Sequence, residues 1–274
     1  MNSMKRLFNF YLDASIHVAL AVVSFLISTA IFFDIELGNH LAYFVFFGTI
    51  INYNFIKYGV EAGKYILVSN KYHKSIQLFS FICFVLTCYH AWFLSFDTWL
   101  ILFILMVLTG FYAFPVLPQA RNLRSLGLLK IFFVALVWSG VTVVLPLVEA
   151  ERVFVWDIWI EVVQRILVVL VLMVPFEIRD LVYDKPDLKT IPQRIGVMRT
   201  KLLGAFLVLL FFLLTFLKDD LTELELVAKG ILCLVLGGLM FVTRRNQTKY
   251  FSSFWVEAIP IVWGVLIWLM TFGF

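Results

Sequence analysis

"MVPFEIRDLVYDKPDLKTIPQRIGV", Met173 to Val197, is the stretch on which the fold and the function turn. An apolar run ends here in Glu177, Asp180, Asp184 and Asp187, interleaved with Arg179, Lys185, Lys189 and Arg194. The remainder of the chain supplies the setting. Of its 274 residues, 62% are apolar and 30 are Phe, only 15% are charged, and the mean hydropathy is +0.97. A soluble domain has about a quarter of its residues charged, so this composition argues against one. Repeated apolar runs of roughly 20 residues are what crosses a bilayer as helices. The in-and-out alternation of an outer-membrane barrel is absent. The expected fold is all-α, a polytopic membrane protein.

Nine runs can be drawn: Ile16 to Phe33, Leu41 to Ile56, Ile76 to Phe96, Thr98 to Leu117, Leu126 to Val148, Ile158 to Phe176, Leu202 to Leu217, Leu224 to Val242 and Phe254 to Phe272. The second and seventh are short for a bilayer, so helix is expected to extend from them into polar sequence. The first has no small-residue cleavage site after it and reads as a span rather than a leader. With no Pro/Ser-rich linker and no large soluble insert, residues 1–274 read as a single transmembrane domain.

Loop charge orients the spans. Lys5 and Arg6, the loop after span two, the region after span four, the loop after span six and the loop after span eight hold nearly all of the 22 Lys and Arg. The other side keeps only Arg152, Arg165, Lys218 and Lys229, and its loops carry Asp34, Glu36, Glu149, Glu151, Asp157, Asp219, Asp220 and Glu223. By the positive-inside rule the N-terminus is expected in the cytoplasm and the C-terminus outside, in the cell (inner) membrane. The net charge of +4 is thus an orientation signal spread over five segments, and nucleic acid is not an expected partner. Cys83, Cys88 and Cys233 lie in apolar runs without CxxC spacing and read as small buried hydrophobes.

On a helix, positions i, i+3 and i+7 share a face. Glu177, Asp180 and Asp184 have that spacing, and Pro186 then ends or turns the helix. Carboxylates converging at a membrane edge repel unless something positive sits between them. Mg²⁺, a hard ion that takes carboxylates together with substrate phosphates, is the natural candidate. The plainer alternative is a solvated loop whose charges pair along the helix. After span four, "FYAFPVLPQARNLRSLGLLK" places Arg121, Arg124 and Lys130 on the same side, either as a diphosphate clamp or as membrane anchors. After span two, "INYNFIKYGVEAGKY" places Asn54, Lys57 and Glu61 at the same i, i+3, i+7 spacing.

These residues resemble the UbiA superfamily of intramembrane prenyltransferases, which have nine helices and two Asp-rich motifs, NDxxDxxxD and DxxDxxxD, at the ends of the second and sixth. Glu177, Asp180 and Asp184 match the second motif, with Glu for its first Asp, and "KTIPQRIG", Lys189 to Gly196, matches the run that follows. "FYAFP" with "ARNLRSLGLLK" resembles the stretch before helix five. The first motif departs: Tyr53, Asn54, Lys57 and Glu61 stand where Asn and three Asp are expected.

The resemblance implies nine transmembrane helices around a central apolar cavity. It also implies transfer of a prenyl group from a prenyl diphosphate to a lipophilic or aromatic acceptor, the lipid bilayer being the surroundings. Glu177, Asp180, Asp184 and Glu61 are then the candidate Mg²⁺ ligands, with one ion rather than two, since Lys57 repels a metal. Asp180, Asp184 and Lys57 are the candidate catalytic residues, Lys57 meeting the diphosphate directly. Arg121, Arg124, Lys130, Lys189, Arg179 and Asn54 are the candidate diphosphate contacts. Two other readings stay open at this point: a non-catalytic prenyl-lipid binder or scaffold, and a small-molecule transporter. Intramembrane charge bears on the last. Glu161 with Arg165 reads as an i, i+4 pair near the outer edge. Glu257 reads either as an interhelical hydrogen-bond partner or as a cavity-lining group.

Overall fold

The computed structural model describes residues 3–60, 71–113, 127–183, 188–248 and 250–273, all helical or turn, with no strand among them. The helices are α1 (Ser3–Asp13), α2 (Ile16–Phe32), α3 (Asn39–Asn54), α4 (Lys71–Ala91), α5 (Phe96–Ala113), α6 (Leu128–Ser139), α7 (Leu145–Glu149), α8 (Trp156–Asp180), α9 (Ile191–Leu214), α10 (Glu223–Val242) and α11 (Glu257–Phe272). Three π-helical turns join on: Phe55–Val60 after α3, Gly140–Val144 between α6 and α7, and Phe251–Val256 before α11.

Among the described residues, each of the nine apolar runs is mainly helix. By length and composition, seven helices among the described residues can cross a membrane, and eight if the bent pair α1–α2 counts as one. The expected nine is therefore not the number found. The 16-residue α3 is too short by itself and reaches further only through its π turn. The seventh run gains most: α9 begins at Ile191, well upstream of Leu202, in polar sequence. α1 was not among the expected elements. It bends by 53° into α2, where Ser15 takes a left-handed backbone (φ 61°) that breaks the helix.

α2 and α8 are the inner helices. α2 buries ten of its seventeen residues and packs on α11 and α3. α8 packs on α6 and α9 and contributes Leu167, Val168, Val171, Leu172 and Ile178 to the main core, with Phe25, Phe211, Leu232, Leu236 and Trp263 around them. Gly264 lets α11 close on α2, since a Cβ there would lie 2.9 Å from the Ser24 Cβ. Outward faces stay apolar, as with Phe81, Phe84, Phe103, Leu234 and Phe241. Such continuous exposed apolar surface belongs in lipid, and the chain is a multi-pass membrane protein.

At the end of the bundle where α8 starts, charge is buried and paired. Arg165 Nη2 lies 3.1 Å from Glu161 Oε1, and Lys218 and Lys229 lie 3.0 and 2.7 Å from Glu161 Oε2. Both lysines also pair with Glu225, Lys229 at 2.6 Å. Arg165 further donates to Phe25 O, Ser28 Oγ and Thr29 Oγ1, and its guanidinium sits 4.3 Å from the Phe25 ring centre. Phe33 and Phe32 face the two lysines at 5.0 and 5.5 Å. Glu161–Arg165 is thus the expected i, i+4 pair, but it is 2% exposed and forms the middle of a five-charge network. Arg152 caps α2 by donating to Phe33 O and Asp34 O at 3.1 and 2.7 Å.

Candidate functional site

About 24 Å further along α8, at 1.5 Å per residue, lies the acidic stretch. Glu177 and Asp180 are one turn apart at the helix's C-terminal end, where the backbone dipole is negative and a carboxylate is disfavoured. Each has a cation. Lys130 Nζ, from the first turn of α6, lies 2.7 Å from Glu177 Oε1, and Glu177 is 2% exposed. Arg179 Nε and Nη2 donate to the two Asp180 oxygens at 2.7 and 3.2 Å, and the guanidinium stacks 5.1 Å over Phe176. Lys130 is itself at a helix N-terminus, the end that favours an anion. Both members of the Lys130–Glu177 pair therefore sit against their own helix's dipole.

The "KTIPQRIG" run is a helix start. Thr190 is the N-cap of α9, its N–H bonded to Gln193 Oε1 at 3.0 Å, and Pro192 sits in the first turn where its missing N–H costs nothing. Gly196, at φ 82° and ψ 162°, interrupts the helix. Lys189 has φ 51°, and its carbonyl accepts from Arg194 Nε at 2.8 Å. That carbonyl and Leu188 O crowd against Gly127, at φ 53°, where a Cβ would collide with them. Glycine here lets the segment before α6 and the segment before α9 touch, which brings Lys130 beside Glu177.

The counterpart on α3 is put to a different use. Asn54 is 4% exposed and its amide is consumed: Ser15 Oγ donates to Oδ1 at 2.8 Å, and Nδ2 donates to Ala14 O at 3.2 Å and Ser80 Oγ at 2.9 Å. It staples the α1–α2 bend to α4. Lys57 leans to Asp13, 3.7 Å from Oδ1 and 3.3 Å from its carbonyl. Tyr58 and Tyr72 also donate to Asp13, at 2.9 and 2.8 Å. So Asn54 and Lys57, expected at the diphosphate, bond to the end of α1 and the bend after it. Sequence reading gave Asp13 no role, because α1 itself had not been expected.

The bundle is hollow between α2, α3, α5 and α6. A cavity of about 140 Å³ is lined by Val22, Tyr53, Tyr112, Phe133, Val137 and Trp138 among others. A second, of about 490 Å³, shares Thr49, Asn52 and Thr109 with it and runs between α3, α4 and α5. Trp138 Nε1 donates to Tyr53 Oη at 2.8 Å, tying α6 to α3 across the first cavity. The lining is almost wholly apolar, which suits a hydrocarbon chain.

Glu61, Arg121, Arg124 and Asp184 lie outside the described residues. Among the described residues no group of three His, Cys, Asp or Glu is gathered to hold a metal. The oxygens of Glu177 and Asp180 are the hard donors that Mg²⁺ takes, and two carboxylates with substrate phosphates are an ordinary Mg²⁺ set. The donor chemistry fits, with Lys130 and Arg179 then released.

No family model matches the chain, and no curated protein matches it. Solved structures do. A structure described for digeranylgeranylglyceryl phosphate synthase in membranes is 16% identical, with TM-score 0.54 over 98% of this chain and 97% of that one. A UbiA homolog from Archaeoglobus fulgidus bound to DMAPP and Mg²⁺ is 11% identical, with TM-score 0.58 over 94% of this chain and 98% of that one. The same homolog bound to GPP and Mg²⁺ gives 12% identity and TM-score 0.56 over the same shares. The chain has the fold of the UbiA homologs, the likeness its motifs had suggested.

Proposed function

We propose that the protein is a UbiA-like intramembrane prenyltransferase that moves a prenyl group from a prenyl diphosphate to a lipophilic or aromatic acceptor. The observation that carries the reading is the Lys130–Glu177 and Arg179–Asp180 pairing, in a bundle where α6, the helix of Lys130, also lines an apolar cavity. A metal–diphosphate complex would split such pairs to advantage. Glu177 and Asp180, with Asp184, would turn to the cation at the negative end of α8. Lys130 and Arg179 would turn to phosphate oxygens, Lys130 at the positive end of α6. Mg²⁺, when bound, would supply a Lewis acid on the leaving diphosphate. Lys130 and Arg179 hold the diphosphate and stabilise its growing charge, and the cavity keeps water from the prenyl carbon. Structures of the same fold bound to DMAPP or GPP with Mg²⁺ support this substrate class.

With Asn54 and Lys57 bonded elsewhere, the reading has metal use confined to the α8 half. The site end faces the cytoplasm, the basic loops all lying there, and residues 1–274 act as one membrane domain. The test is to incubate purified protein with DMAPP, GPP and longer homologues, a lipid extract and Mg²⁺, and to follow diphosphate release. Release that is lost in Asp180→Asn supports the enzyme. Tight diphosphate binding without release by the wild type supports the second reading, a prenyl-lipid binder. That reading is favoured by one observation, the purely structural bonds of Asn54.

A further inference from the structure

Glu257, the first residue of α11, is a carboxylate inside the bundle that makes no hydrogen bond or ion pair with any described residue. It keeps partial surface exposure although protein surrounds it. A carboxylate left so in an apolar bundle costs several kcal/mol unless a donor reaches it. The charged and titratable groups within electrostatic reach of it come from four elements. They are Lys57 on the π turn after α3, Arg179 on α8, Tyr11 on α1 and Tyr53 on α3. Glu257 is thus within electrostatic reach of the α3 and the α8 ends of the site, and of these groups Tyr53 lines the cavity.

Its placement is built. The π turn Phe251–Val256 leads directly into it, and such turns recur at functional sites. The turn's Phe254 carbonyl accepts from His17 Nε2 at 2.9 Å, and the His17 ring stacks on Phe254 with centres 4.9 Å apart. Since a carbonyl only accepts, the proton of His17 is on Nε2, and Nδ1 accepts from Tyr11 Oη at 2.6 Å. α1, α2 and the π turn are locked together one step before Glu257.

We propose that Glu257 is the acceptor-side carboxylate: it binds a neutral hydroxyl-bearing acceptor, alcohol or phenol, and takes its proton as transfer occurs. This rests on the prenyltransferase reading. The donor's C–O bond breaks and its electron pair leaves on the diphosphate. The acceptor oxygen forms the new bond to the prenyl carbon, and its proton passes to a Glu257 oxygen and then to the departing diphosphate. A carboxylated acceptor would put two acids in one site, where only one can ionise, so carboxylated acceptors are disfavoured.

The probes are a long-chain phenol, its methyl ether and the matching carboxylic acid, with GPP as donor. Binding is read from tryptophan fluorescence and from the infrared carboxylate bands, transfer from diphosphate release. The phenol is expected to bind and to shift a carboxylate band that is missing in Glu257→Gln; the ether and the acid leave that band unmoved. Glu257→Gln is expected to bind GPP as the wild type does and to transfer about a hundredfold more slowly or worse, with partial recovery in Glu257→Asp. Should the wild type bind the phenol through Glu257 yet transfer nothing, prenyl transfer fails while the recognition stands. Phenol binding and band positions indifferent to Glu257→Gln overturn the inference, as does equal use of the acid.

Discussion

Glu161 and Glu257 are both carboxylates set inside the bundle, at opposite ends, and their surroundings differ completely. Glu161 touches Arg165, Lys218 and Lys229, each within 3.1 Å, and the lysines are shared with Glu225. The three cations outnumber the two carboxylates, and aromatic faces take up the surplus. Nothing there is left to offer a ligand. Glu257 has cations in electrostatic reach and none in contact. Between these limits stand Glu177 and Asp180, which pair with Lys130 and Arg179 among the described residues. A cluster closed on itself is architecture; a carboxylate with capacity to spare marks where something else binds.

The contrast can be broken most directly at Glu161. Glu161→Gln leaves Arg165 without its carboxylate and the two buried lysines with Glu225 alone, and is expected to cost about 3–5 kcal/mol, read as a large fall in melting temperature in detergent. Glu257→Gln, which breaks no bond among the described residues, is expected to leave melting unchanged or to raise it. Equal losses from the two would end the distinction. Glu177→Gln should fall between them: it removes one charge-assisted bond, and Mg²⁺-supported GPP binding weakens about ten- to a hundredfold, measured by calorimetry. Tyr53→Phe deletes only the bond from Trp138, about 1 kcal/mol, and should shift the Trp138 emission. Lys57→Ala, at an exposed pair with Asp13, is expected to change stability by less than about 1 kcal/mol, while a larger loss would mean that the α1 contact is more than a surface one.

Lys218 gives the smallest effect near neutral pH. Its burial just past α9 lowers its pKa, but Glu161 and Glu225 outweigh that and raise it. A raised folded pKa contributes stability that is complete below the unfolded value and is lost as pH climbs through the folded one. The contribution of Lys218 to melting should therefore be constant across neutral pH. The wild type should lose this contribution only above about 10.5, the ordinary lysine value.

Much of this was legible in the residues because lipid demands it. Among the described residues each apolar run is mainly helix, since a bilayer leaves the backbone no other partner. The side-to-side bias of charge was equally plain, and its exceptions now have reasons. Arg165, Lys218 and Lys229 are neutralised inside the network and Arg152 caps α2, so none of the four behaves as a free loop charge. The network escaped sequence reading because its members come from three separate segments. Glu225 and Lys229 at i, i+4 in an apolar run were the available signal. The α8 carboxylates were legible as a motif, and Arg179 is the neighbour of Asp180, while the Lys130 partner of Glu177 depended on the Gly127 contact, which no spacing announces. For Asn54 and Lys57 the motif alignment gave no sign of the bonds that they make to Ser15, Ala14, Ser80 and Asp13.

The π turn before Glu257 is, in chain terms, one residue too many. A turn of α-helix advances 100° per residue, so the extra residue sets the phase of everything after it against the segment that His17 holds. Chains that share this fold and lack the insertion would present a different side of the last span to the hollow. A carboxylate at the same aligned position would then face lipid or a neighbouring helix. The meaning of an acid here is carried by the helix's phase, and a comparison of relatives column by column would miss it.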